Sequence, residues 1–296
     1  MKKKFKIFKM ALLGTLTLVL GGCSGDIVTT TYYFNPNWTP DGKIISGKWS
    51  NTIETNTLLG GVSDQTRTIE NKYEVVSFDV SGNNEVVLFN AGNLGGDVYI
   101  TMSPNGSYVT VGSNLYTSSG TLVGQIVSKS VDSLDWSADS NKLVADCDGM
   151  SSVSSFDIGI YTLSNGSFNL IADGLAVSWL VTDNIIYRDA STSSYAIKIV
   201  NSDGTNVLTS TLDLDTPTFV PSSDTFVANL GNVIYQYQLP GFDLVSTASF
   251  TEDRAWRWHV SPDGTKITFG KAGTQPLGYS GVWVMDINGG NLARVR

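Results

Sequence analysis

Cysteine is nearly missing from these 296 residues: only Cys23 and Cys147 are present. A disulfide framework is therefore excluded, and a large apolar core must supply the stability. Histidine is scarcer still, with His259 alone, so a multi-histidine metal centre is excluded. Acidic side chains are missing from the first 22 positions, which instead carry Lys2, Lys3, Lys4, Lys6 and Lys9. Long apolar runs are missing after Gly22, so no later segment is a candidate membrane span. No helical period is evident after residue 26. The chain also has no Gly-x-Ser-x-Gly elbow, no phosphate-binding glycine loop and no dinucleotide fingerprint. No catalytic residue, cofactor or metal is assigned, and the expected protein is not an enzyme.

What is present begins at the N-terminus. The five lysines lead into Ala11–Gly22, an apolar stretch too short for a comfortable membrane span but of the length of a signal-peptide core. It ends Leu20-Gly21-Gly22-Cys23, which resembles the bacterial lipobox. That resemblance implies a lipoprotein signal peptide over 1–22, removed on maturation, and a lipid on Cys23 holding the chain to a membrane. It also implies a cell-envelope location. In lipoproteins of some Gram-negative bacteria an Asp after the lipidated Cys retains the protein at the inner membrane. Ser24 stands there, which implies an outer-membrane address facing the periplasm in a Gram-negative host. Loss of the five lysines leaves 14 basic residues against 27 acidic ones. A net charge of −13 repels phosphate backbones, so nucleic acid is excluded as a partner.

From there on Thr, Ser, Val, Ile and Tyr alternate with Asp-Gly, Asn-Gly and Gly-Gly turns, the composition of an all-β protein. Six segments share one form: an apolar anchor, a tight polar turn and a returning apolar strand. The anchors are Trp38, Met102, Trp136, Trp179, Phe219 and Val260. Each is followed by a second strand–turn–strand signature, as around Ser119-Gly120, Asp203-Gly204 or Asn288-Gly289-Gly290. Two hairpins make a four-stranded antiparallel unit. A recurrence of roughly 40 residues suits propeller blades. One such sheet cannot bury both faces alone, whereas a ring of sheets buries each face against a neighbour.

The last copy, Ser261-Pro262-Asp263-Gly264-Thr265-Lys266-Ile267-Thr268-Phe269 followed by Val282-Trp283-Val284-Met285-Asp286, resembles the TolB-type, WD-like repeat. The resemblance covers about residues 33–296 and is weakest in the fourth and fifth copies. It implies a six-bladed β-propeller over 33–296, after a lipidated tether over 23–32. Ile27–Phe34 either pairs beside the outer strand of the last blade or serves only as tether. Lys48–Lys72 reads as an insertion. Its apolar residues Trp49, Leu58, Leu59 and Val62 either pack on the first blade or meet a partner.

The residue before each anchor is polar in every copy: Asn37, Thr101, Asp135, Ser178, Thr218 and His259. Strand alternation points these away from the anchors. They either satisfy backbone groups between blades or form a ligand-contacting ring at the channel mouth. The anchors themselves read as core. The Asp- and Asn-rich turns at 146–149, 201–204 and 286–289 offer oxygen ligands to calcium, but none carries the glutamate of an EF-hand loop, and they read as hairpin turns. The resemblance implies an interaction module for an envelope protein. A peptide or glycan binder is the alternative, and a hydrolase or lyase using channel carboxylates is the third reading.

Overall fold

The computed structural model describes residues 24–57, 65–92, 98–149, 156–191, 195–205, 208–221, 223–250, 255–272 and 279–296. The signal peptide expected over 1–22 and the lipidation expected at Cys23 lie outside the described residues, as do Leu58, Leu59 and Val62. All regular structure among the described residues is β-strand. No helix long and apolar enough to cross a membrane occurs among them.

The chain divides into two compact units, Met1–Tyr32 with Trp49–Lys72, and Tyr33–Lys48 with Tyr73–Arg296. Strands β1 (Ser24–Trp38), β2 (Ile44–Thr57) and β3 (Gln65–Phe78) contribute to both. Within the first unit, cross-strand hydroxyl pairs join β1 to β2, Thr29 to Thr52 at 3.0 Å and Thr31 to Ser50 at 3.3 Å. Tyr32 and Trp49 stack with ring centroids 5.2 Å apart. The β-branched residues of these segments favour extended backbone. The tether expected over 23–32 is therefore strand from Ser24 onward. Ile27–Phe34 takes neither expected role: it lies in β1, at the edge of a sheet ordered β1-β2-β3-β4. The expected insertion is largely the distal parts of β2 and β3.

The second unit contains six antiparallel repeats. The first is completed by β4 (Val86–Asn90). The second comprises β5 (Ile100–Met102), β6 (Tyr108–Val111), β7 (Asn114–Thr117) and β8 (Leu122–Gln125). The third and fourth form one seven-stranded sheet of β9 (Val131–Trp136), β10 (Lys142–Asp148), β11 (Phe156–Thr162), β12 (Ser167–Trp179), β13 (Asn184–Asp189), β14 (Ala196–Asn201) and β15 (Leu208–Asp213). Strand β12 serves both: Ser167–Asp173 pair with β11, and Gly174–Trp179 pair with β13. The fifth comprises β16 (Asp215–Val220), β17 (Thr225–Leu230), β18 (Val233–Gln238) and β19 (Asp243–Ser249). The sixth comprises β20 (Ala255–Val260), β21 (Lys266–Ala272), β22 (Tyr279–Asp286) and β23 (Ala293–Arg294).

Apolar residues fill the space between successive repeats, since each sheet has two apolar faces to cover. Tyr99 and Leu115 of the second repeat pack with Leu134, Trp136 and Leu143 of the third. Ile158 and Ile160 meet Trp179 and Ile185, and Ile186 and Ile197 meet Phe226 and Tyr237. Val227 and Phe250 pack with Trp258 and Phe269. The sixth repeat packs on the first, where Val282 and Val284 join Trp38, Ile44, Val76 and Phe78. Trp38 Nε1–H also donates to the His259 carbonyl at 2.9 Å. Between the first and second repeats, Phe89 and Tyr116 lie 5.2 Å apart.

The sequence signature in the turns has a physical cause. Thr39, Ser103, Ser137 and Ser261 each donate a hydroxyl proton to the carboxylate or amide oxygen two residues on, Asp41, Asn105, Asp139 and Asp263. The same hydroxyls accept the N–H of Lys43, Tyr108, Lys142 and Lys266. These bonds hold the Asp41, Asp139 and Asp263 carboxyls below the usual range. The fourth repeat has Leu180 at the position of the hydroxyl, which is why its turn motif is hard to read.

Candidate functional site

The first strand of each repeat (β1, β5, β9, the second half of β12, β16 and β20) ends at or next to its anchor, so the six anchors and the six preceding polar residues come together. They line one cavity of about 360 Å³. The anchors form its wall. A collar around them comes from the residue two positions past each anchor: Pro40, Pro104, Ala138, Val181, Pro221 and Pro262. A second cavity of about 360 Å³ shares Asp135, Ser178, Thr218 and His259 with the first and continues past Tyr99, Asp132, Asp146, Thr216 and Arg257.

The polar residues tie neighbouring repeats together. Asn37 Nδ2 donates to the Ile100 carbonyl at 3.4 Å. Asp135 accepts from the Ser178 hydroxyl at 2.9 Å and the Trp179 N–H at 2.8 Å, while its other oxygen caps the Trp136 N–H. Ser178 in turn accepts the Phe219 N–H, and Thr218 donates to the Trp258 carbonyl. Thr101 is buried, with no side-chain hydrogen bond among the described residues. His259 sets its ring edge-on to Tyr99, centroids 5.4 Å apart. Trp49, the seventh candidate, is buried in its stack on Tyr32 in the first unit, and presents no open apolar surface.

Three features of this site were not anticipated. The residue three before the anchor has a left-handed backbone in four repeats, at Asn35, Ala176, Thr216 and Arg257, with φ between 43° and 56°. In the last three the pairing register slips there, a β-bulge that turns the side chain toward the cavity. Asp146, expected only as a turn residue, is almost fully buried. It gathers the N–H groups of Asp132, Ser133 and Ala176 and the Ser133 hydroxyl, at 2.6–3.1 Å. Burial pushes its carboxyl up to about 6 against those bonds, and burial likewise raises Asp135. Arg257 lies with its guanidinium 4.8 Å from the Tyr99 ring centroid. The three-residue offset from the anchors is the one signal in the sequence that marks the bulge positions.

Both buried carboxylates are taken up by main-chain and hydroxyl donors, which makes them staples between the third and fourth repeats. Burial and the nearby Arg257 hold the His259 imidazole down to about 3, so it is neutral at any ordinary pH. Among the described residues no group of three or more His, Cys, Asp or Glu is placed to hold a metal ion. The turn oxygens weighed for calcium bond within the protein: Asp203 to Thr205, and Asp286 to Lys266 and Asn291.

No protein-family model and no curated protein matches the sequence. Among solved structures, a protein described as TolB from Agrobacterium tumefaciens superposes with a TM-score of 0.58 at 17% identity, over 74% of this chain and 86% of that one. The fold is TolB-like. At that identity the likeness speaks for the fold alone.

Proposed function

We propose that the second unit is a closed six-bladed β-propeller and that the protein is a non-catalytic, lipid-anchored interaction module of the cell envelope. Its partner is a protein that docks on the collared mouth. The observation that carries this reading is the collar itself. Every repeat places a proline or small apolar residue at the same point around one opening, and Val181 is 65% exposed. Among the residues lining that opening, Asp135 is the one carboxylate, and its oxygens already hold N–H and hydroxyl donors. Exposed apolar residues gathered around one opening mark a protein-interaction surface. Closure is supported by the packing of Val282 and Val284 against Trp38 and Phe78. The envelope address is supported by the lipobox Leu20–Cys23 and by the TolB-like fold.

Two experiments test this. Metabolic labelling with a palmitate analogue is expected to mark the wild-type chain and to be lost in Cys23→Ala. Site-specific photo-crosslinking in cells, from probes at Val181 and at Pro262, is expected to trap the same partner from both. A probe at Val123, exposed on the outer strand β8, is expected to trap none. Equal capture from Val123, or none from the collar, refutes the docking face.

A further inference from the structure

Tyr99 is 7% exposed and Thr101 4% exposed, yet neither hydroxyl has a hydrogen-bond partner among the described residues. The His259 imidazole has none either; its recorded side-chain contact is the Tyr99 ring. Polar groups need hydrogen-bond partners, and none of these three is sealed off from the cavity space. Thr101 lies in β5, Tyr99 just before it and His259 in β20, and they line the two cavities, His259 lining both. Their unmet hydrogen bonds therefore belong to whatever fills the cavities.

We propose that Tyr99, Thr101 and His259 form a recognition site for one uncharged sugar residue, reaching from the collared cavity into the one that adjoins it. The chemistry selects the ligand. All three groups are neutral: burial raises the Tyr99 phenol well above its usual value and lowers His259. Each phenol, hydroxyl and neutral imidazole both donates and accepts, as sugar hydroxyls do. The lining sets three carboxylates, Asp132, Asp135 and Asp146, against the single guanidinium of Arg257, a balance that disfavours an anion. A peptide added as an extra strand fares no better, because that mode needs a free strand edge. The main-chain groups facing the cavity are already used: the N–H groups of Trp136, Trp179 and Phe219, and the carbonyls of Ile100, Trp258 and His259. About 360 Å³ on either side of His259 sits at the small end of ligand pockets, which suits a single ring. Arg257 is a positioning residue: its guanidinium, 4.8 Å from the Tyr99 centroid, holds the phenol in place.

The test is saturation-transfer NMR on the detergent-solubilised full chain, with D-glucose, D-galactose, D-mannose and N-acetyl-D-glucosamine as probes. At least one is expected to bind, and Tyr99→Phe and Thr101→Val to weaken it about tenfold each. Both variants keep the shape of the residue they replace, and an unchanged near-ultraviolet circular dichroism spectrum confirms that they fold. D-glucuronate and an acetylated alanine tripeptide amide are expected not to bind. Absence of binding by all four sugars overturns the proposal. So does binding that both variants leave intact, or tighter binding of the glucuronate or the peptide at this site. The photo-crosslinks at Val181 and Pro262 are a separate readout, so failure here leaves the collar reading standing.

Discussion

Asp146→Asn isolates the energetics of the staple between the third and fourth repeats. In the wild type, one carboxylate oxygen takes the N–H groups of Asp132 and Ser133, and the other takes the Ser133 hydroxyl and the Ala176 N–H. An amide replaces one acceptor oxygen by an NH2 group. If that group faces Ser133, the hydroxyl turns to accept, and the Ala176 N–H is left without its acceptor, a loss of about 1–3 kcal/mol. The opposing effect depends on pH. Burial pushes the folded carboxyl up to about 6, against 3.8 for an unperturbed aspartate. Two units of displacement amount to about 3 kcal/mol held against the folded state wherever the group must ionise. The sign follows from proton counting. Between about pH 4 and pH 6 the folded state keeps a proton that the unfolded state has released, so this group's contribution to stability falls as pH rises through that window. Below it, both states are protonated and the variant shows only its lost hydrogen bond. At pH 7 the relief of the buried charge offsets that loss. Urea denaturation of both proteins at pH 3.5, 5, 6 and 7 should show their stability difference moving by about 3 kcal/mol in favour of the variant as pH rises. A difference that is constant with pH, or that moves the other way, refutes the reasoning.

Three other outcomes follow from particular contacts. Gly47→Ala places a Cβ 2.2 Å from the ring of the fully buried Phe34, and overpacking of this kind should lower stability by about 1–3 kcal/mol in denaturant titration. Burial pushes the Glu85 carboxyl up, but Lys48 at 2.5 Å, Tyr33 at 2.6 Å and Arg296 outweigh it and hold it below the usual range. Glu85→Gln should therefore destabilise by about 1–3 kcal/mol at pH 7, and the gap should close as pH falls through that lowered value. Burial and nearby carboxylates push the Cys147 thiol up to about 12, so maleimide should label it only after unfolding, at the unfolding rate.

The repeat was legible because it is enforced twice, by an anchor that must be apolar and by a turn whose hydroxyl and carboxylate must sit two residues apart. Where the turn is built otherwise, as at Leu180, the anchor Trp179 alone still marks the strand end. The roles of Asp135, Ser178 and Thr218 were open in the sequence, because a polar residue facing inward reads alike whether it meets a ligand or a neighbouring main chain. Their geometry divides the six: Asn37, Asp135, Ser178 and Thr218 bond to the next repeat, whereas Thr101 and His259 do not bond through their side chains. Asp146 was misplaced because an Asp followed two residues later by Asp-Gly looks like a turn. Its true role depends on a bulge at Ala176, thirty residues away, that no local pattern announces. The strand character of Ser24–Tyr32 was underestimated for the converse reason: Thr-rich polar segments lack the apolar alternation that marks a half-buried strand, and here hydroxyl pairs stand in for it.

The joints between repeats are not alike, and this bears on how the molecule yields under load. Between the third and fourth repeats the chain crosses without a break, as the 13-residue strand β12 belongs to both sheets. Between the sixth and first no strand is exchanged, and the junction rests on side chains: the Val282–Phe78 apolar cluster, the Trp38 indole and the pairing of Arg296 with Glu85. The third–fourth joint is thus continuous in main chain, and the sixth–first joint is made of side-chain contacts. Parting the sixth repeat from the first therefore separates side chains alone, whereas parting the third from the fourth must break the shared strand β12.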